Sequence, residues 1–297
     1  MRIIVSGASG LIGSALCTSL TADGHDVVKL VRRPAGSGEI QWDPKQGALP
    51  AGALEGAGAV VHLAGAGIGD HRWTDEYKAE IRDSRVQSTE LLATAIAQCK
   101  SGPTVMLSAS GVGYYGDSGD RELDETAPAG HDFLAEVCVQ WEAATAEAEA
   151  AGTRVAHFRT GIVLAGNGGA LSKMLPLFKL GLGGRFGNGR QWQSWISLAD
   201  EVGAIRHLLT ADVRGPVNLT GPMPVTGSDF ARTLGKVLHR PSLLPVPSFA
   251  PKLLLGSELV DALLLSGQRA VPRVLQASGF SFQHETLEIA LRAVLGR

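Results

Sequence analysis

Seven residues near the start of the chain limit its fold more than any other stretch. Gly7-Ala8-Ser9-Gly10-Leu11-Ile12-Gly13 follows a short β-rich run over residues 2–5, and it opens a segment in which Ile12, Leu16 and Leu20 recur at helical spacing. Strand, glycine-punctuated turn and helix, in that order, bring backbone N–H groups and the positive end of a helix close to a phosphate. GxxGxxG alone is a weak signal, and its context strengthens it. Gly7, Ser9, Gly10, Leu11, Ile12 and Gly13 are therefore the candidate pyrophosphate cradle. The competing reading is a tight turn with no ligand, but three glycines in register lose backbone entropy that a mere turn does not require.

The pattern continues as α/β. Residues 27–31 and 40–42 read as strands, and residues 59–64 are so continuously apolar that they suit a strand covered on both faces, as in a parallel sheet. A long helical stretch over 75–99, with a possible break at Asp83-Ser84, leads to a buried strand at 105–107. A polar loop over 108–132, an alanine-rich helix over 133–151 and a strand at 155–158 complete a doubly wound, Rossmann-type sheet. Beyond Thr160 the glycines crowd, and only the amphipathic run 171–180 interrupts them.

We expect a dinucleotide-binding domain over 1–165, to which 198–220 returns as helix and strand. A smaller substrate-binding or cap region spans 166–197 and 221–297, with helices near 229–238, 249–265 and 285–295. Phe249, Leu253, Leu254, Leu255, Leu259, Leu263 and Leu264 give it apolar surface to bury, which places it over the carboxyl ends of the strands.

Charge and cysteine content narrow the function. The 27 basic and 29 acidic residues nearly cancel, so no global field draws the protein to nucleic acid or an anionic membrane, and a small molecule is the expected partner. The first apolar stretch is too short for a signal peptide or spanning helix. Cys17, Cys99 and Cys138 have no metal-ligand spacing and leave an odd thiol under any pairing, which suits reduced cysteines in a cytoplasmic protein. At the end of the second strand, where an NAD-binding fold places an acid for the ribose 2′-hydroxyl, the chain has Arg32 and Arg33. Planar guanidinium groups favour the 2′-phosphate of NADP(H), against the alternative of two solvated arginines.

His62-Leu63-Ala64-Gly65, then Ser108-Ala109-Ser110 followed by Tyr114-Tyr115-Gly116, give the chain a resemblance to the extended short-chain dehydrogenase/reductases. Arg159-Thr160-Gly161-Ile162-Val163-Leu164, Gly189-Arg190-Gln191 with Trp195-Ile196, and residues 269–279 sharpen it to an atypical, epimerase-like branch that ends in a domain of unknown function. Members are described as NAD(P)-dependent oxidoreductases or nucleotide-sugar epimerases, and some as cell-division inhibitors. The resemblance implies that Leu63, Ala64 and Gly65 border the adenine and ribose, that Glu80 and Arg85 face the cofactor, and that Ile162 joins that site. From spacing alone Glu80 and Arg85 read as two solvated helix charges.

The chain departs from the wider family at the chemistry. Typical members pair a Tyr with a Lys four residues on, and no YxxxK occurs here. Cys138 and Glu142 lie one turn apart in the helix that should carry the pair, so Glu142 reads either as a base or ribose ligand, or as a solvated acid beside Glu147 and Glu149. Cys138 reads as a small core residue, with nothing basic adjoining it in sequence. Ser110 suits orientation of a substrate oxygen; Tyr114 and Tyr115 are either proton donors or packed rings. Asp117, Asp120, Glu122, Asp124 and Glu125 read as a solvated loop face, and Trp192 and Trp195 either roof a substrate or anchor a loop. Two functions follow: an NADP(H)-dependent oxidoreductase or epimerase acting on a small hydroxyl or carbonyl compound, or a non-catalytic protein that senses NADP(H) and acts through a protein partner.

Overall fold

A computed structural model describes residues 1–242, 245–246, 249, 252–253 and 256–297. The strands are β1 (Arg2–Ser6), β2 (Asp26–Val31), β3 (Glu39–Gln41), β4 (Ala59–His62), β5 (Val105–Gly111), β6 (Glu122–Leu123) and β7 (Arg154–Thr160). They continue with β8 (Ile162–Leu164), β9 (Trp192–Gln193), β10 (Trp195–Ser197) and β11 (Gly215–Leu219). Seven of them form one sheet in the order β11-β7-β5-β4-β1-β2-β3, and every neighbouring pair is parallel. The order runs outward in both directions from β1 and β4. At such a switch point the carboxyl ends of the strands open a crevice.

Alternation within the strands builds two cores. Ile3, Val5, Val61, Leu107 and Phe158 face one side of the sheet, against α1 (Leu11–Ala22) and α6 (Leu198–Thr210). Ile4, Val60, Met106 and Val155 face the other, against Leu92, Ala93 and Ile96 of α2 (Asp75–Gln98). A period of two thus loads both faces with apolar side chains, as a sheet covered by helices requires. A third core joins Leu164, Leu171, Phe178, Trp195, Phe230, Leu234 and Leu291, tying α5 (Gly169–Lys179) and α7 (Gly227–Leu238) to the C-terminal helix Leu287–Leu295.

Several elements differ from expectation. α2 runs unbroken through Asp83-Ser84, because Ser84 turns its hydroxyl to the Ile81 carbonyl and accepts the Ala66 N–H, so its polarity serves the helix instead of ending it. The alanine-rich helix divides into α3 (Phe133–Ala143) and α4 (Ala146–Ala150). Thr145 causes the break: its hydroxyl reaches back to the Glu142 carbonyl and across to His157 Nε2, a side-chain alternative to the helical ladder. The strand after it lengthens at both ends, to Arg154–Thr160.

Of the helices expected in the C-terminal region, those near 229–238 and 285–295 are present as Gly227–Leu238 and Leu287–Leu295, and the expected 249–265 lies partly outside the described residues. Between those two helices the described helices are short, Ser257–Val260 and Arg273–Ala277, and residues 261–265 form a π turn. Part of this region covers the strand ends, where Leu263 and Leu264 line a cavity. Leu275, Phe280 and Phe282 pack instead on the β11 side of the main core. Leu259 is buried, Phe249 and Leu253 are exposed, and Leu254 and Leu255 lie outside the described residues.

Candidate functional site

The glycine turn separates into two structural necessities and one vacancy. Gly7 is left-handed, with φ 67°, and a β-carbon there would stand 2.6 Å from the Leu63 carbonyl carbon. A β-carbon on Gly13 would overlap the Gly7 carbonyl oxygen. Both glycines let the turn pack against itself and β4. Gly10 has ordinary extended dihedrals, φ −74° and ψ 174°, and a β-carbon there would meet only the Gly7 oxygen at 3.4 Å. Neither backbone nor internal packing asks for glycine at this position. What the missing β-carbon leaves open is the mouth of the crevice, next to the N-terminus of α1, where a pyrophosphate approaches such folds.

Two cavities meet there. One, of about 650 Å³, is lined by Ser9, Arg32, Arg33, Ala64, Gly65 and Glu80. The other, of about 500 Å³, is lined by Leu11, Ile12, Gly13, Arg85, Ser110 and Ile162. Gly7, Gly10 and Leu63 line both. The residues expected around a dinucleotide therefore fall on one continuous path, with Glu80 on the first side and Arg85 on the second.

In the first cavity Arg33 is held by Glu39, through Nη1 to Oε2 at 2.7 Å and Nη2 to Oε1 at 2.6 Å. Those bonds to Arg33, with the Gly36 N–H, hold the Glu39 carboxyl down at about 2. Arg32 is exposed and makes no side-chain hydrogen bond among the described residues. Lys45 pairs with Glu80 at 2.8 Å, so Glu80 is a partnered charge at the cavity edge. Behind it His62 is bonded on both nitrogens, to Ser6 at 2.6 Å and Ser88 at 3.1 Å. Burial, and then the Arg85 charge, push this ring down to about 3, so it is neutral and structural.

The second cavity changes the reading of the catalytic candidates. Ser110 Oγ donates to Glu142 Oε1 at 2.7 Å, and Arg159 grips the same carboxylate through Nε to Oε1 and Nη2 to Oε2, each 2.8 Å. Arg159 also donates to the Tyr115 hydroxyl at 3.1 Å, and Tyr115 donates to Asn218 Oδ1 at 2.7 Å. The Arg159 guanidinium carbon lies 3.4 Å from the Tyr114 ring centroid. Ser110, Tyr114, Tyr115 and Glu142 thus do come together, around Arg159. Of the four, only Ser110 lines the cavity.

Glu142 is not a solvated acid: it is one half of a largely buried, fork-shaped ion pair, with two bonds on Oε1 and one on Oε2. Burial, resisted by Arg159, pushes the Tyr115 phenol up to about 12, and its proton is committed to Asn218. For Arg159, burial favours the neutral form, and the bonds and charge of Glu142 more than offset it, so the guanidinium stays charged.

Arg159 was missing from the candidates. The signal was present: a charge closing the otherwise apolar run Val155-Ala156-His157-Phe158 must be paired if that strand is buried. Glu125 is a second correction. It is buried, not solvated, and accepts the backbone N–H groups of Asn218 at 3.0 Å and Val274 at 3.2 Å. The tryptophans separate: Trp192 lines the cavity and stacks on Arg269, whereas Trp195 is wholly buried and donates to the Met223 carbonyl. Cys138 lines the cavity too, and burial, then Glu142, push its thiol up to about 11, so it carries no thiolate at neutral pH.

Sequence and fold comparisons agree with this geometry. The chain is 47% identical over 291 residues to an epimerase family protein of Mycobacterium leprae, covering 97% of this chain and 94% of that one. It is 38% identical to the human epimerase family protein SDR39U1, covering 99% and 100%. A crystal structure of human SDR39U1 with NADPH superposes with a TM-score of 0.91 at 36% identity, covering 100% of this chain and 99% of that chain. A nucleoside-diphosphate sugar epimerase from Corynebacterium glutamicum superposes at 0.81 and 38% identity; this chain spans 58% of its length. Residues 246–294 match a domain of unknown function, DUF1731, and residues 3–220 match the NAD dependent epimerase/dehydratase family. With the parallel sheet, the glycine turn and the paired cavities, this chain belongs to that family.

Proposed function

We propose that the chain binds NADP(H) along the two joined cavities and uses it for reduction, oxidation or epimerisation of a small hydroxyl or carbonyl compound in the second cavity. The observation that carries this reading is Gly10, a glycine that the protein's own backbone and packing do not require, at the point where both cavities meet. Arg32 and Arg33 suit the 2′-phosphate, and Ser110, with the segment around Ile162, suits the nicotinamide end. The cofactor, when bound, supplies a hydride donor or acceptor. Ser110 contributes its two lone pairs: its own proton is directed at Glu142, so the oxygen is left as an acceptor for a substrate hydroxyl. The Glu142–Arg159 pair holds the Ser110 hydroxyl in place. No tuned tyrosine stands beside it, so turnover on generic alcohols and ketones is expected to be slow, since general acid–base catalysis typically contributes about 10²–10⁴-fold.

A non-catalytic sensor of NADP(H) is the second reading, favoured by the commitment of Tyr115 and Glu142 to internal bonds. Titration calorimetry with NADPH and NADH tests what both share. One or two charged hydrogen bonds imply a preference for NADPH on the order of ten- to a hundredfold. Arg32→Ala should cost more of it than Arg33→Ala, because Glu39 already occupies Arg33. Glu39→Gln should widen the preference by removing a carboxylate from beside the 2′-phosphate. Equal affinities for the two cofactors in the wild type would remove the arginines from the site.

A further inference from the structure

The polar side chains that line the second cavity are committed within the protein, with one exception. Ser110 donates to Glu142 and Thr160 to Glu201, Trp192 donates through Nε1 to Asp120, and Ser194, Ser266 and Gln268 each donate to a backbone carbonyl. Gln193, half-buried in the cavity wall, makes no side-chain hydrogen bond among the described residues. Its direction follows from β9, because side chains alternate along an extended chain. Trp192 turns toward Asp120 and Ser194 toward Ala270, neither of which lines the cavity, so the Gln193 amide turns the other way. Gly267 closes over this end: a β-carbon there would overlap the Trp192 backbone.

Charge is the second observation. Among the described residues that line the cavity Arg85 is the one charged side chain, and it lies on the cofactor path, its guanidinium carbon 3.1 Å from where a β-carbon on Gly65 of the first cavity would stand. The chain outside the described residues carries no charge in sequence, and the nearby Lys252 is paired with Asp261 at 2.6 Å. A diphosphate enclosed beside Gln193 would find no cation, and an ammonium group would find no carboxylate. A charge taken out of water without a partner is costly.

Building on the cofactor reading above, we propose that Gln193 recognises an uncharged hydrogen-bonding group of the substrate, and that the substrate is a neutral hydroxy or oxo compound, not a nucleoside-diphosphate sugar. The reacting oxygen meets Ser110, the neutral polar group meets Gln193, and Leu134, Val137 and Leu263 supply apolar wall for the body. A primary amide carries donors and an acceptor together, so it favours a group that has both over a carboxylate, which only accepts.

The test is a binding titration on the full chain, by calorimetry and tryptophan fluorescence, with saturating NADP⁺, which cannot reduce the probes. The probes are 4-oxocyclohexanecarboxamide, 4-oxocyclohexanecarboxylate of the same shape, and UDP-glucose. The carboxamide is expected to bind about tenfold or more tightly than either anion. Gln193→Leu should erase that preference and Gln193→Arg should reverse it toward the carboxylate, both with native thermal stability and cofactor affinity within about twofold. The wild-type comparison decides even where a variant fails to fold. A wild type that binds NADP⁺ but prefers the carboxylate or UDP-glucose, or that takes no carboxamide, would overturn the assignment. So would a folded Gln193→Leu chain that loses NADP⁺ in parallel, because Gln193 would then hold the nicotinamide carboxamide. A wild type that takes neither NADP⁺ nor NADPH is a different result, and it overturns the cofactor reading first.

Discussion

Arg159 shows how a single buried side chain organises a site without facing it. Its guanidinium is spread over Glu142, Tyr115 and the Tyr114 ring, and through Glu142 it sets the direction of the Ser110 proton. Removing one partner of such a pair leaves an uncompensated buried charge, which typically costs about 3–5 kcal/mol. Arg159→Met should therefore destabilise the fold by about that much in denaturant unfolding, and Glu142→Gln, which keeps the shape and some hydrogen bonds, by less. The double variant Arg159→Met/Glu142→Gln should recover part of the loss; strict additivity would show that the two side chains are not coupled. At this scale the glycine turn was legible, because φ and close approach restrict which residue can stand there. The fate of Tyr115 was not, because its partner Asn218 comes from a strand distant in sequence, and spacing carries no record of that meeting.

At the scale of elements, the strands of the parallel sheet were readable from continuous apolarity, and helix ends were less so. The division of α3 from α4 depends on where one threonine hydroxyl points, and helix propensity does not encode that.

The first turn of α6 carries a consequence of burial. Glu201 is fully buried, accepts the Thr160 hydroxyl at 2.8 Å on one oxygen, and has no partner for the other among the described residues. Burial, offset in part by Thr160, pushes its carboxyl up to about 8. An acid raised in the folded state holds its proton while the unfolded chain releases it, so stability falls as pH climbs from the usual glutamate range through about 8. His62 acts in the opposite sense, lowered to about 3, so its contribution is full above the usual histidine range and is lost as pH falls toward 3. Between about pH 6.5 and 8 only the Glu201 slope should remain of these two, amounting to roughly 2 kcal/mol. Glu201→Gln should remove that slope relative to wild type in unfolding titrations. Parallel pH profiles for the two proteins would show that Glu201 is ionised in the folded state.

Across the whole molecule, the sheet's switch point, the glycine turn and the C-terminal residues 262–268 enclose one continuous crevice, and no helix among the described residues is long and apolar enough to cross a membrane. Residues 261–265, expected as the end of a helix, form a π turn, because a leucine-rich run reads alike as helix or as turn until the surface it packs on is known. The central claim is that this crevice receives a dinucleotide whose pyrophosphate passes over Gly10. The direct measurement is NADPH affinity and ligand-free melting temperature for wild type and Gly10→Ala. The substitution fits ordinary dihedrals and an open space, so the melting temperature should stay nearly unchanged while NADPH affinity falls by about tenfold or more. A Gly10→Ala protein that binds NADPH as the wild type does would contradict the account.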